Sequence, residues 1–179
     1  MPHDTLTTQS ETPAAFEERQ MPDIPFGLAR PEQVMALTGL QQLQNLIAGD
    51  LPAPPMAGTM RQWISELAEG MAEFRGEPGE AYLNPMGLVH GGWTMSLLDS
   101  ALGCSVQTVL APGEAYSSLG TEVKFVRPVF PTTGQVRATA HVVTRGRRTV
   151  TASAQVQDRQ GRILATGTST CFIQKLGKT

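Results

Sequence analysis

The chain is poor in the features that would announce special chemistry. Its two cysteines, Cys104 and Cys171, and three histidines, His3, His90 and His141, are scattered along 179 residues. None falls at a zinc-ligand spacing, so no metal site is expected. Both cysteines sit in apolar stretches without a secretory leader in front of them, and read as reduced core residues. Neither sign of charge dominates: 14 basic against 16 acidic side chains leave a formal −2, which gives no electrostatic reason to collect nucleic acid. No apolar run approaches the roughly 18 residues of a membrane span. The expectation is a soluble, cytoplasmic protein that takes neither nucleic acid nor membrane as a partner.

What is present is hydrophobic content of 40%, enough for one core in a chain too short for two comfortable domains. Residues 1–27 carry Thr, Ser, Gln, Glu and four prolines with few large apolar groups, which predicts a disordered arm. Residues 28–50 form an N-terminal helix extension. There Val34, Leu37, Leu40, Leu43 and Ile47 recur at three or four, with Pro31 at the first turn and Gly49 after the end. Leu51-Pro-Ala-Pro-Pro55 stops that helix and opens the main domain, 51–179.

Within this domain, Met60 to Ala68 and Met71 to Gly76 predict a hairpin turning at Glu69-Gly70. Leu88 to Leu110 predicts one long helix, apolar nearly all round (Leu97, Leu98, Ala101, Leu102, Val106), and so wrapped by something. Beyond Pro112-Gly113 the pattern changes to strands over Glu122 to Arg127, Gln135 to Thr144, Arg148 to Gln157 and Ile163 to Ile173, turning at Gly146 and at Asp158-Arg-Gln-Gly161. The fold class is α+β, with an antiparallel sheet able to curl around a lone helix.

Two features of that helix carry chemistry. Val89-His-Gly-Gly92 enters it at the point where backbone N–H groups have no intrahelical partner, so an oxygen can approach donors backed by the positive end of the helix dipole. This is the geometry of an oxyanion hole. The competing reading is that Gly91 and Gly92 only allow close packing. The second feature is Asp99, a carboxylate interrupting the apolar run from Met95 to Leu102. A charge there is costly unless it has a partner or a task; a paired interfacial charge and a catalytic group remain open.

Eight helical residues rise about 12 Å, whereas a base must lie within about 3 Å of its target, or one water away. Gly91 and Asp99 of one chain therefore cannot serve one carbonyl. If both act, two helices lie antiparallel and the sites are interfacial in a homodimer.

Asn84-Pro-Met-Gly-Leu-Val-His-Gly-Gly92 followed by Leu97-Leu-Asp-Ser-Ala-Leu-Gly103, with Val126-Arg-Pro128 and Gly146-Arg-Arg-Thr149 downstream, resembles the hotdog-fold acyl-CoA thioesterases of the phenylacetate-degradation, PaaI-like type. The resemblance covers roughly Leu51 to Ile173. It implies an acyl-CoA substrate hydrolysed without metal or organic cofactor, the Gly91 N–H polarising the thioester carbonyl, and Asp99 of the partner subunit acting as base or nucleophile.

It further implies that Asn84 helps hold the reacting group, that His90 flanks the oxyanion donor, and that Ser118 orients water, with Ser117 and Thr121 near enough to leave the register open. Val89 and Gly92 would border the substrate. Gly146, Arg147 and Arg148 would meet the coenzyme A phosphates, although Arg pairs at hairpin tips are often just solvated. Trp93 would border the acyl pocket or belong to the core. Dimers joining two sheets, and a homotetramer of these, complete the expectation.

Overall fold

The computed structural model describes residues 16–176. Residues 1–15 of the expected arm lie outside them. Ten elements follow: α1 (Pro31–Val34), α2 (Gly39–Ala48), α3 (Pro55–Met60), β1 (Gln62–Ala68), β2 (Met71–Gly76), α4 (Gly91–Gln107), β3 (Glu114–Phe125), β4 (Val136–Arg145), β5 (Thr149–Gln157) and β6 (Ile163–Lys175). The strands form one antiparallel sheet in the order β1-β2-β4-β5-β6-β3. α4 packs against every strand of it. This is the hotdog arrangement that the sequence implied.

The apolar face of α4 drives the wrapping. Trp93, Leu97, Leu98, Leu102 and Val106 are each at most 2% exposed and meet Val136, Ala138, Val150 and Val156 from the sheet. Each large side chain buried this way contributes about 1.5–3 kcal/mol. The wrap is incomplete, however. β3 is an edge strand, and beyond it Met95 and Asp99 of α4 are exposed.

Three expectations need correction. The single helix over Pro31 to Ala48 is two, because Thr38 leaves helical geometry and caps α2: its side chain accepts from the Gln41 N–H at 3.2 Å, and the Gln41 side chain accepts from the Thr38 N–H at 2.9 Å. β3 begins at Glu114, well before the expected Glu122, since its first half runs from three half-buried residues into three exposed ones without strict alternation.

Residues 16–27 are also not an unstructured arm. Arg19 exchanges backbone hydrogen bonds with the Gln135 side chain, Ile24 is buried, and Phe26 and Gly27 run alongside Ala53. This strap explains why β2 is buried on both faces. Ala72 and Phe74 face the core with α4, while Glu73 and Arg75 are ion-paired near Arg137, whose guanidinium, like that of Arg75, lies by the Phe16 ring. Desolvation holds the Arg75 pKa below the usual arginine value despite Glu73.

The extension is built into the domain as well. Gly39 donates to the Leu110 carbonyl, a Cβ there would stand 1.9 Å from the Gln107 oxygen, and Gln107 donates to the Gln42 side chain. Among the described residues no helix is long and apolar enough to cross a membrane.

Candidate active site

The start of α4 is arranged so that one amide stays free. His90 is the N-cap, and its Nδ1 accepts from the Gly92 N–H at 2.8 Å. The Trp93 N–H turns back to the His90 carbonyl, and the Val89 N–H goes to Val129. The Gly91 N–H meets no acceptor among the described residues. It opens on a cleft lined by Asn84, Val89, Thr94, Phe125 and Arg127. A free donor at the positive end of a 17-residue helix favours an oxygen carrying developing charge.

Both glycines are tight in this arrangement. A Cβ on Gly91 would stand 3.0 Å from the Phe125 ring, and one on Gly92 would stand 2.9 Å from His90 Nδ1. Asn84 shapes the approach, since its Oδ1 accepts from the Met86 and Leu88 N–H groups at 2.9 and 3.2 Å and ties the loop that leads to Gly91. That carbonyl oxygen is used within the loop, and only the side-chain NH2 is left to face a substrate.

Asp99 lies two turns further along. In the single chain it is exposed, not buried as an acid in an apolar run would be, and it lies beside the edge strand β3. Thr121 Oγ1 donates to Asp99 Oδ1 at 3.3 Å. The hydroxyl beside the acid is therefore Thr121. Ser118 instead sits 3.8 Å from the Cys171 sulfur, and Ser117 pairs with Phe172. A bulge between Ser118 and Gly120 shifts the register by one residue, which a count by twos from Ser118 cannot anticipate.

Asp99 borders a second, separate cavity with Trp63, Cys104 and Tyr116. Burial, and then the Asp99 carboxylate, push the Cys104 thiol up to about 12. Burial likewise raises the Tyr116 hydroxyl.

The remaining candidates divide. Trp93 is a core residue, 2% exposed, with its indole N–H on the Met60 carbonyl and its ring stacked on Tyr82. Gly146, Arg147 and Arg148 form the β4–β5 turn, where the Gly146 N–H donates to Thr149 and Arg148 lies over the Phe172 ring. The two arginines line a shallow cleft with Glu114, at the end of β3 opposite Phe125. The length of β3 separates them from Gly91 of the same chain by up to about 35 Å. Phe125 and Arg127, which border the Gly91 cleft, went unnamed in the sequence as site residues; the Arg-Pro pair was the available signal. Among the described residues no three His, Cys, Asp or Glu side chains gather as a metal-binding group.

One chain thus carries an unpaired helix-start amide in one cleft and an acid on another cavity, with the β3 edge exposed beside both. Comparison with known proteins gives this arrangement a class. A family model described as thioesterase superfamily matches residues 86–165, which include both Gly91 and Asp99. The chain is similar to a phenylacetic acid degradation-related protein from Ralstonia eutropha, with 30% identity over 73% of this chain and 98% of that one and a TM-score of 0.67. A thioesterase family protein from Silicibacter pomeroyi is 25% identical, over 76% of this chain and 98% of that one, with a TM-score of 0.67. The Escherichia coli PaaI protein from the phenylacetic acid degradation operon shares the fold, with 23% identity over 81% and 98% of the two chains and a TM-score of 0.66. Among curated proteins none matches. The chain belongs to the thioesterase superfamily, hydrolases that act on thioesters.

Proposed function

We propose that the protein hydrolyses an acyl-CoA thioester at two sites of a homodimer, each made from Gly91 of one protomer and Asp99 of its partner. The observation that carries this reading is the separation of the free Gly91 amide from Asp99 into different pockets of one chain. The thioester oxygen accepts from the Gly91 N–H. Asp99, steadied by Thr121, takes a proton from water as the water oxygen bonds to the carbonyl carbon and the carbonyl electrons move onto the held oxygen.

Collapse of that intermediate breaks the C–S bond. The proton on Asp99 passes to the departing coenzyme A sulfur, and the free acid remains. These steps use protein groups and water alone. Arg147 and Arg148 at the β4–β5 turn supply cations for the coenzyme A phosphates, which Arg binds through charge-assisted forks. The exposed β3 edge, with Leu119 at 66% and Phe125 at 55% exposure, is the surface on which two sheets join into one. Two such dimers make the homotetramer that the resemblance implies.

Asp99→Asn tests this reading. Turnover of acyl-CoA, followed by a thiol reagent, is expected to fall at least a thousandfold while the dimer stays intact. Unchanged turnover with retained coenzyme A binding would leave a non-catalytic acyl-CoA-binding protein instead.

A further inference from the structure

The reaction as derived makes no use of the N-terminal strap and extension, yet these segments build the cavity that ends at the acid. Its walls include Ile24 from the strap, Leu43 and Leu46 from α2, Ala57 from α3 and Trp63 from β1, with Asp99 at its border. Its volume is about 320 Å³. The space is enclosed by chain that is fixed in place: Phe26 pairs with Ala53, α2 is bound to the end of α4 through Gly39 and Gln42, and a Cβ on Gly58 would stand 2.7 Å from the Phe26 ring. Gln62 also reaches the wall, and its Oε1, in a side chain 3% exposed, has no donor among the described residues.

We propose that this cavity seats the acyl group of the thioester, an apolar chain of about eight to twelve carbons, and that the N-terminal extension sets the length accepted. The inference rests on the thioesterase reading and adds the substrate class to it. The argument is one of place and size. A carbonyl carbon within reach of Asp99 has its acyl tail at the cavity mouth, so the tail enters the protomer that supplies the acid, while the carbonyl oxygen turns to the partner.

A dry apolar cavity of about 150 Å³ accepts a benzene ring, so about 320 Å³ accommodates about a dozen carbon atoms. Each methylene taken from water into such walls strengthens the transition-state complex about fourfold. The gain ends where the chain meets the extension. Gln62 Oε1 offers an unpartnered acceptor in this wall, a position for a water above the chain.

The experiment is a ladder of acetyl-, butyryl-, octanoyl- and dodecanoyl-CoA with the full-length protein and with Ala57→Phe, joined to a binding measurement that needs no turnover. In the wild type, kcat/KM should climb about fourfold per methylene and then level. Ala57→Phe should lose at least tenfold more on dodecanoyl- than on acetyl-CoA. A bromine-bearing decanoate should quench Trp63 fluorescence, and Trp63→Phe should abolish that quenching. A wild-type profile that is flat in chain length, or an equal loss on every rung in Ala57→Phe, overturns the proposal. Quenching lost in Ala57→Phe without any thioester turnover keeps the apolar seat and removes hydrolysis. Turnover without quenching or length dependence keeps hydrolysis and removes the seat.

Discussion

A phenyl ring stands against Gly91. Because Phe125 Cζ stands 3.0 Å from where a Cβ would be, Gly91→Ala should push the ring into the cleft while leaving the N–H in place. An approximately tenfold fall in kcat/KM is expected, with about the same stability, and Gly91→Ala combined with Phe125→Ala should recover part of it; a double-mutant cycle reads the coupling. Cys104 gives a second test at this scale. With its thiol pushed up to about 12, it should resist iodoacetamide at about pH 8 for hours in the folded protein and react in denaturant, as followed by mass spectrometry. The sequence exposed Gly91 and Asp99 because a glycine doublet at a helix start and an acid in an apolar helix are both locally anomalous. Between Ser118, Ser117 and Thr121 the sequence could not choose, since the bulge that turns Thr121 toward Asp99 leaves no mark in the residue pattern.

Among the elements, periodicity located α4 and the strands β4, β5 and β6, whose cores are set by local alternation, but only the last third of β3. It missed the break at Thr38, where a side-chain cap outweighs a continuing apolar repeat. Thr38→Ala should therefore cost about 1 kcal/mol in urea unfolding. The β5–β6 turn behaves similarly. Burial pushes the Asp158 carboxyl up, but hydrogen bonds from Arg162 and the Gln160 N–H outweigh it and hold the carboxyl below the usual range. A carboxyl lowered on folding stabilises above its unfolded pKa of about 3.9 and loses that contribution as pH falls through the folded value. Asp158→Ala should cost about 2 kcal/mol at about pH 7, and the gap should narrow in urea titrations as pH falls below the unfolded value of about 3.9.

At the scale of the whole molecule, the site proposed to be shared between protomers predicts complementation. Asp99→Asn and a bulky Gly91→Trp variant, each inactive alone, should regain about a quarter of wild-type activity when unfolded and refolded together, because half of the random dimers carry one complete site of two. No recovery, with mixed dimers shown by mass spectrometry, would place both groups in one chain's site. The rise of a helix lets the sequence argue for an interfacial site, but nothing in the residue pattern marks the strap over β2 or the cavity beneath the extension, which are contacts between segments distant along the chain.

The position of Asp99 and the Gly91 amide on one rigid rod, about two turns apart, also bears on how much catalysis a cell obtains from a given amount of protein. With the site shared as proposed, catalytic output well below the dimer dissociation constant scales with the square of the number of chains made, so halving synthesis quarters the flux.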